Sequence, residues 1–125
     1  MITYVENSMK VKGIKNLLCA GEKAGLFVGH TEAIVTGSLA GHNSVRIDKG
    51  IKLLELPVSL AIGDLIAYAN ERIKEKDGLK MRFTFAGSIY FERMKELNLY
   101  STDREFLRKK IERLNLLNIF DEKIV

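Results

Sequence analysis

The chain has 125 residues, of which 46% are apolar and 29% charged, with a net charge of +4. This length and composition favour one small globular unit with a modest core. A single cysteine, Cys19, excludes an intramolecular disulfide, no charged-then-apolar leader is present, and no apolar run approaches the roughly 20 residues of a membrane span. We therefore expect a protein of the reducing cytoplasm that does not enter a membrane.

The positive charge is spread evenly along the chain. Residues 1–50 carry six Lys and Arg against four Asp and Glu, and residues 51–125 carry fourteen against twelve. A mixed surface of this kind is weak support for nucleic-acid binding. The basic residues near the C-terminus alternate with Glu105 and Glu112, which favours a solvated helix face.

The first part of the chain predicts short strands followed by one helix. Ile2 to Val5 and Met9 to Ile14 have the composition of short strands or extended segments. Asn16 to Ala20 is apolar through its middle and predicts a buried strand that Gly21 closes. A run of helical length then extends from His30 to about Val45.

Small residues recur at every fourth position of this predicted helix. Ala33, Gly37 and Gly41 therefore share one face. Glycine inside a helix costs roughly 1 kcal/mol relative to alanine. Two glycines on one face predict that the helix backbone lies close to another element or to a ligand.

The second part of the chain predicts helices. Asp48-Lys49-Gly50 is the plausible internal boundary, so that residues 1–50 and 51–125 form two segments of one compact unit. Pro57 suits the first turn of a helix from about Val58 to Lys76. Met81 to Phe85 alternates like a short strand, and Ala86 to Leu97 returns to helical spacing.

A capping box predicts the start of the last helix. In Thr102-Asp103-Arg104-Glu105, Thr102 would cover the amide of Glu105 while Glu105 reaches back to the cap. The helix would extend to about Leu116. The predicted fold class is therefore α+β: mainly helical, with a few short strands at the N-terminal end.

Residues 16–46 resemble the C-terminal flavin-contacting segment of the glucose-inhibited division protein A family, which includes TrmFO. That segment has the approximate pattern N-L-F-F-A-G-Q-I-x-G-x-x-G-Y-x-E-A-x-x-x-G-L-x-A-G-x-N-A, against which this chain has one extra residue between Gly25 and Gly29 and its leucine one position later, at Leu39. Thr3 to Ser8 also resembles the family's T-x-x-N-x-P segment, with an extra residue and no proline. The matching positions in the longer segment are Asn16, Leu17, Ala20, Gly21, Gly25, Gly29, Glu32, Ala33, Gly37, Leu39, Ala40, Gly41 and Asn43.

The resemblance implies an FAD-dependent oxidoreductase in which a glycine loop and the start of the following helix face the flavin. Free amides at a helix N-terminus suit an electron-rich partner. Glu22 stands where the family has glutamine and His30 where it has tyrosine, so the groups at the cofactor can differ. The implied cofactor-facing residues are Gly21, Glu22, Gly25, Gly29, His30, Thr31 and Glu32.

A dinucleotide-binding motif is absent from the chain. No G-x-G-x-x-G occurs, and this motif seats the pyrophosphate in such folds. We therefore expect the chain to be the C-terminal portion of a flavoprotein, inactive by itself and holding no FAD alone. The expected partners are the missing Rossmann half and, for the isolated chain, a second copy in a homodimer. The family resemblance also makes tRNA a candidate partner.

Several chemically reactive residues have competing interpretations. Cys19 is expected to be a packed thiol rather than a nucleophile. His30 could be a neutral ring near the flavin or a half-exposed first-turn residue, and Glu32 could shape the cofactor site or only complement the helix dipole. His42 is expected to face solvent or the following segment. No metal-binding spacing is present in the sequence.

A different class of function stays open. The chain could be a free-standing helical module that binds a protein or RNA and has no flavin chemistry. The upstream reading frame would separate the two hypotheses, because a continuation into a Rossmann half favours the enzyme.

Overall fold

The computed structural model describes residues 4–21, 27–75, 82–121 and 123–124. Within these ranges the regular structure is four helices, which confirms the mainly helical expectation. The helices are α1 (His30–Asp48), α2 (Ala61–Arg72), α3 (Ser88–Glu96) and α4 (Arg104–Arg113). None of these described helices has the length and apolar content needed to cross a bilayer.

The short N-terminal strands are not confirmed. In the described part of the chain, β-pairing consists of isolated bridges that join Val5 to Val11, Lys10 to Leu18 and Phe27 to Phe83. The segment predicted as a buried strand has Leu17 48% exposed. Single bridges leave no neighbouring ladder to extend, so residues 4–21 fold as turns whose buried side chains, such as Val5 and Met9, join the core.

α1 is confirmed as a helix and is longer at its C-terminal end than the predicted limit at Val45. Its buried positions are Glu32, Thr36, Leu39 and Asn43, which form one stripe at helical spacing. Three of these four residues are polar, so this helix buries hydrogen-bonding groups as well as apolar surface.

The predicted close packing at Gly37 and Gly41 is wrong for the described part of the chain. Both glycines are exposed, and a Cβ built at either position meets no heavy atom within 4 Å. They lie on the open face of α1 together with Ile34, which is 67% exposed. Sequence spacing placed the glycines on one face correctly but could not show that the opposite face is the buried one.

We expect Gly37→Ala to stabilise the chain by about 0.5–1 kcal/mol, because alanine has the higher helix propensity and the space is open. Gly63→Ala is the matched control with the opposite expected sign. A Cβ at Gly63 would overlap Pro57 O and lie 2.6 Å from Leu56 O. Urea denaturation followed by circular dichroism measures both changes, and a destabilised Gly37→Ala would show that this face is covered.

α2 is confirmed as a helix, but it begins later than the predicted Val58 and ends at Arg72, before the predicted Lys76. Lys76 lies outside the described residues. Pro57 is not in the first turn of α2. Instead the amide of Leu60 donates to Pro57 O at 3.0 Å, which forms a turn before the helix. α2 supplies much of the core through Leu65, Ile66 and Ala69.

α3 and α4 complete the described fold. The bounds of α3 fall within the predicted range from Ala86 to Leu97. The N-cap of α4 is Asp103, whose Oδ1 accepts from the amide of Phe106 at 3.1 Å, so the prediction that Thr102 caps this helix is wrong. No residue of α4 is buried, and α4 ends before the predicted Leu116.

Candidate functional site

The start of α1 presents an uncapped helix end at the surface. Gly29 is the N-cap residue, with φ 110° and ψ 155°, and no side chain in the described part of the chain caps the helix. This backbone conformation favours glycine. His30 and Thr31 follow in the first turn, and both are exposed. The free amides of this turn are therefore not covered by a described side chain.

Glu32 holds the start of α1 against the second part of the chain. Its side chain is buried, and one carboxylate oxygen accepts from Thr84 Oγ1 at 3.0 Å and from the amide of Phe85 at 2.8 Å. The other oxygen lies where a Cβ on Gly29 would stand. The carboxylate therefore joins Gly29 at the helix start to residues 84–85.

A second link joins the glycine before the loop to the middle of α1. Gly21 is buried, and its amide donates to Thr36 Oγ1 at 2.9 Å. The same hydroxyl donates to Glu32 O at 2.7 Å. Gly21 has φ +60°, and a Cβ there would lie 3.5 Å from the Cβ of Ala33. The two ends of the glycine loop are therefore fixed on α1.

Glu22 and Gly25 lie outside the described residues. Of the other predicted site residues, Gly29, His30 and Thr31 lie together at the helix start, whereas Gly21 lies beside Ala33 and Glu32 points toward residues 84–85. The parallel bridge between Phe27 and Phe83, with the amide of Val28 donating to Phe83 O at 3.1 Å, brings that segment to the loop.

Asn43 is a structural residue whose role the sequence did not reveal. It is fully buried, and its Nδ2 donates to Ser8 O and to Leu54 O, each at 2.8 Å. Its Oδ1 accepts from the amide of Leu54 at 2.7 Å. The available signal was its position in the resemblance pattern, but the partners are 35 and 11 residues away in sequence.

A buried carboxylate joins α2 to α3. Asp64 receives a two-fold contact from Arg93, with Nε to Oδ2 at 2.9 Å and Nη2 to Oδ1 at 3.0 Å. The Tyr90 hydroxyl lies 2.8 Å from Asp64 Oδ2 and 2.9 Å from Ala61 O, and donates its one proton to one of these acceptors. Burial is the largest cause that raises the pKa of Tyr90 above its ordinary value, and the hydrogen bond with Asp64 is the second.

The remaining reactive side chains have structural neighbours. Cys19 is half-buried and packs against the core. His42 is half-buried: Nε2 accepts from Arg46 Nε at 2.8 Å, and the ring packs edge-on at 5.4 Å from Phe120. Among the residues that the structure describes, no group of His, Cys, Asp and Glu could hold a metal ion.

Two comparisons with known proteins find matches, of which the first includes α1. Residues 2–52 match the family model described as Glucose inhibited division protein A. The methylenetetrahydrofolate–tRNA-(uracil-5-)-methyltransferase TrmFO of Streptococcus sanguinis (strain SK36) is 32% identical over an alignment 92 positions long, and the match covers 62% of this chain and 20% of that protein. No solved structure matches.

The segment that contains the start of α1 is therefore of a kind found in proteins related to flavoproteins. Residues 2–52 carry the segment of the glucose-inhibited division protein A family, and the match to the streptococcal protein supports a relationship to the TrmFO-like proteins. The chain spans about a fifth of the length of the curated relative that it matches.

Proposed function

We propose that this chain contributes the glycine loop and the start of α1 to the flavin site of a larger FAD-dependent oxidoreductase. The observation that carries this proposal is the helix start at Gly29 to Thr31, which no side chain of the described residues caps. Amides and the positive end of a helix dipole stabilise negative charge, such as that on the N1/C2=O edge of a reduced flavin. The flavin itself would carry out the redox chemistry.

The position of Glu32 supports this role. A carboxylate directed to the outer side of the helix start would occupy the amides and repel an anionic flavin. Instead, its hydrogen bonds hold it against Thr84 and Phe85. In this proposal Glu32 is a positioning residue, while His30 and Thr31 are the exposed residues beside the cofactor.

The missing part of the flavoprotein has a surface on which to pack. The open face of α1 carries Ile34, Gly37, Gly41 and Val45, of which Ile34 is 67% and Val45 40% exposed. We propose that the Rossmann half covers this face in the complete protein. For the isolated chain, we predict a homodimer that covers this face of α1. We also keep two predictions for the whole protein, namely tRNA as a partner and a cytoplasmic location.

The isolated chain should not retain FAD, because one loop and one helix end cannot replace the pyrophosphate and ribose contacts of a dinucleotide-binding half. The decisive experiment transfers residues 2–52 into the matched segment of the streptococcal relative. We expect this chimera to bind FAD, measured as flavin absorbance after gel filtration, while the 125-residue chain alone shows no saturable quenching of flavin fluorescence.

Gly29→Val in the chimera should remove most of the flavin, because the substitution strains the helix start and displaces Glu32. Lys12→Gln, at an exposed residue of the same segment outside the open face of α1, is the control and should keep the flavin. A chimera that folds but contains no flavin, or one in which both variants retain it equally, would refute the proposal and favour the helical interaction module.

A further inference from the structure

A cavity of about 180 Å³ lies between α2, α3 and the segment before α3. Three aromatic rings line it: Tyr68, Phe83 and Tyr90. The centroid of Tyr68 is 5.7 Å from that of Phe83 and 5.9 Å from that of Tyr90. Phe83 and Tyr90 are buried, so two of the three rings are fixed by the core.

The rest of the lining includes polar groups. Arg82 lines the cavity and is exposed, and Thr84, Gly87 and Ile89 complete the wall. A Cβ on Gly87 would lie 3.1 Å from Thr84 Cγ2, so glycine keeps this wall open. A guanidinium has five N–H donors, and so Arg82 can serve a ligand in addition to a protein partner.

The size of the cavity selects the size of the ligand. Drug-sized ligands occupy pockets of about 300–1,000 Å³, whereas an apolar cavity of about 150 Å³ accommodates one benzene ring. A ligand ring that packs against these aromatic side chains gains edge-to-face or offset-stacked contacts. A carboxylate on that ring would reach the exposed side, where a planar guanidinium recognises it in a two-fold geometry.

We propose that this cavity is a binding site for a small aromatic carboxylate, with the ring among Tyr68, Phe83 and Tyr90 and the carboxylate on Arg82. This site is separate from the proposed flavin-facing helix start and does not depend on it. The two are joined through Thr84, whose hydroxyl donates to Glu32 in α1. A ligand in the cavity would therefore also affect the position of Glu32 at the start of α1.

The test uses benzoate as the probe and the 125-residue chain labelled with ¹⁵N. We expect saturable shifts of the backbone amides of Thr84, Gly87 and Ile89, with a dissociation constant on the order of 1 mM, as befits so small a ligand. Benzyl alcohol, which has the ring without the charge, should bind about tenfold more weakly.

Arg82→Gln should weaken benzoate binding about tenfold and leave the amide spectrum of the core unchanged. Arg108→Gln removes the same charge from α4, where Arg108 is exposed, and should leave binding unchanged. The proposal is overturned if benzoate gives no saturable shift at these amides, if Arg82→Gln binds as tightly as the parent chain, or if benzyl alcohol binds as well as benzoate.

Discussion

Asn43→Ala should lower the free energy of unfolding by about 3–5 kcal/mol. The side chain is fully buried and makes three hydrogen bonds, to Ser8 O and to both backbone groups of Leu54. Its removal takes this partner from the carbonyl of Ser8, which is in a buried position, and from both backbone groups of Leu54, which are part-buried. Each such group costs about 1–3 kcal/mol, and partial relaxation reduces the sum.

Urea denaturation followed by far-ultraviolet circular dichroism measures this change. Ser44→Ala is the matched control, because Ser44 is exposed and its hydroxyl bonds only within α1, to Gly41 O at 2.7 Å. Its effect should stay within about 0.5 kcal/mol. Asn43→Asp should also destabilise, since it replaces a donor to two carbonyl oxygens with an acceptor. A loss below about 1 kcal/mol for Asn43→Ala would contradict the arrangement.

Asp64→Ala should cost about 2–4 kcal/mol, because it removes the partner of Arg93 and an acceptor of Tyr90. The Asp64 side chain is 8% exposed and the Arg93 side chain 35% exposed. The guanidinium can therefore recover part of its hydration when the carboxylate is lost, which sets the estimate below the full cost of a deeply buried pair.

A double-mutant cycle with Arg93→Met isolates the pair. The double variant should be less destabilised than the sum of the two single variants. Glu71→Gln is the control, because Glu71 pairs with Lys74 at 3.0 Å on an exposed part of α2 and should change stability by less than about 0.5 kcal/mol. Additive losses in the cycle would show that Asp64 and Arg93 do not act as a unit.

The helices could be predicted from the sequence because their signals are local. The periodic run after Gly29 predicted α1, and only its last turn was missed, where Gly50 takes a φ of +67° beyond the helix end. The N-cap residue of α4 could not be predicted as well as the helix itself. Thr102 and Asp103 are neighbouring residues that can both cap a helix, and only the geometry decides that the amide of Phe106 bonds to Asp103.

The strands and the site could not be predicted to the same degree, because both depend on distant partners. Asn16 to Ala20 has a strand-like composition, but Leu18 finds only a single bridge, to Lys10, in the described residues. For Glu32, the helix-dipole interpretation was available from its position in the first turn. Its bonds to Thr84 and Phe85 cross more than fifty residues, and no local pattern reveals them.

The contacts between Glu32 and residues 84–85 also determine when this part of the chain can become ordered during synthesis. The amide of Phe85 is 53 residues beyond Glu32. At about 5–20 residues per second, the ribosome needs roughly 3–10 s to supply it. The bridge of Phe27 likewise cannot form until Phe83 has been synthesised. During synthesis, Glu32 is therefore exposed to water at first, although it is buried in the folded chain. α1 can reach its final position only after α2 has been made.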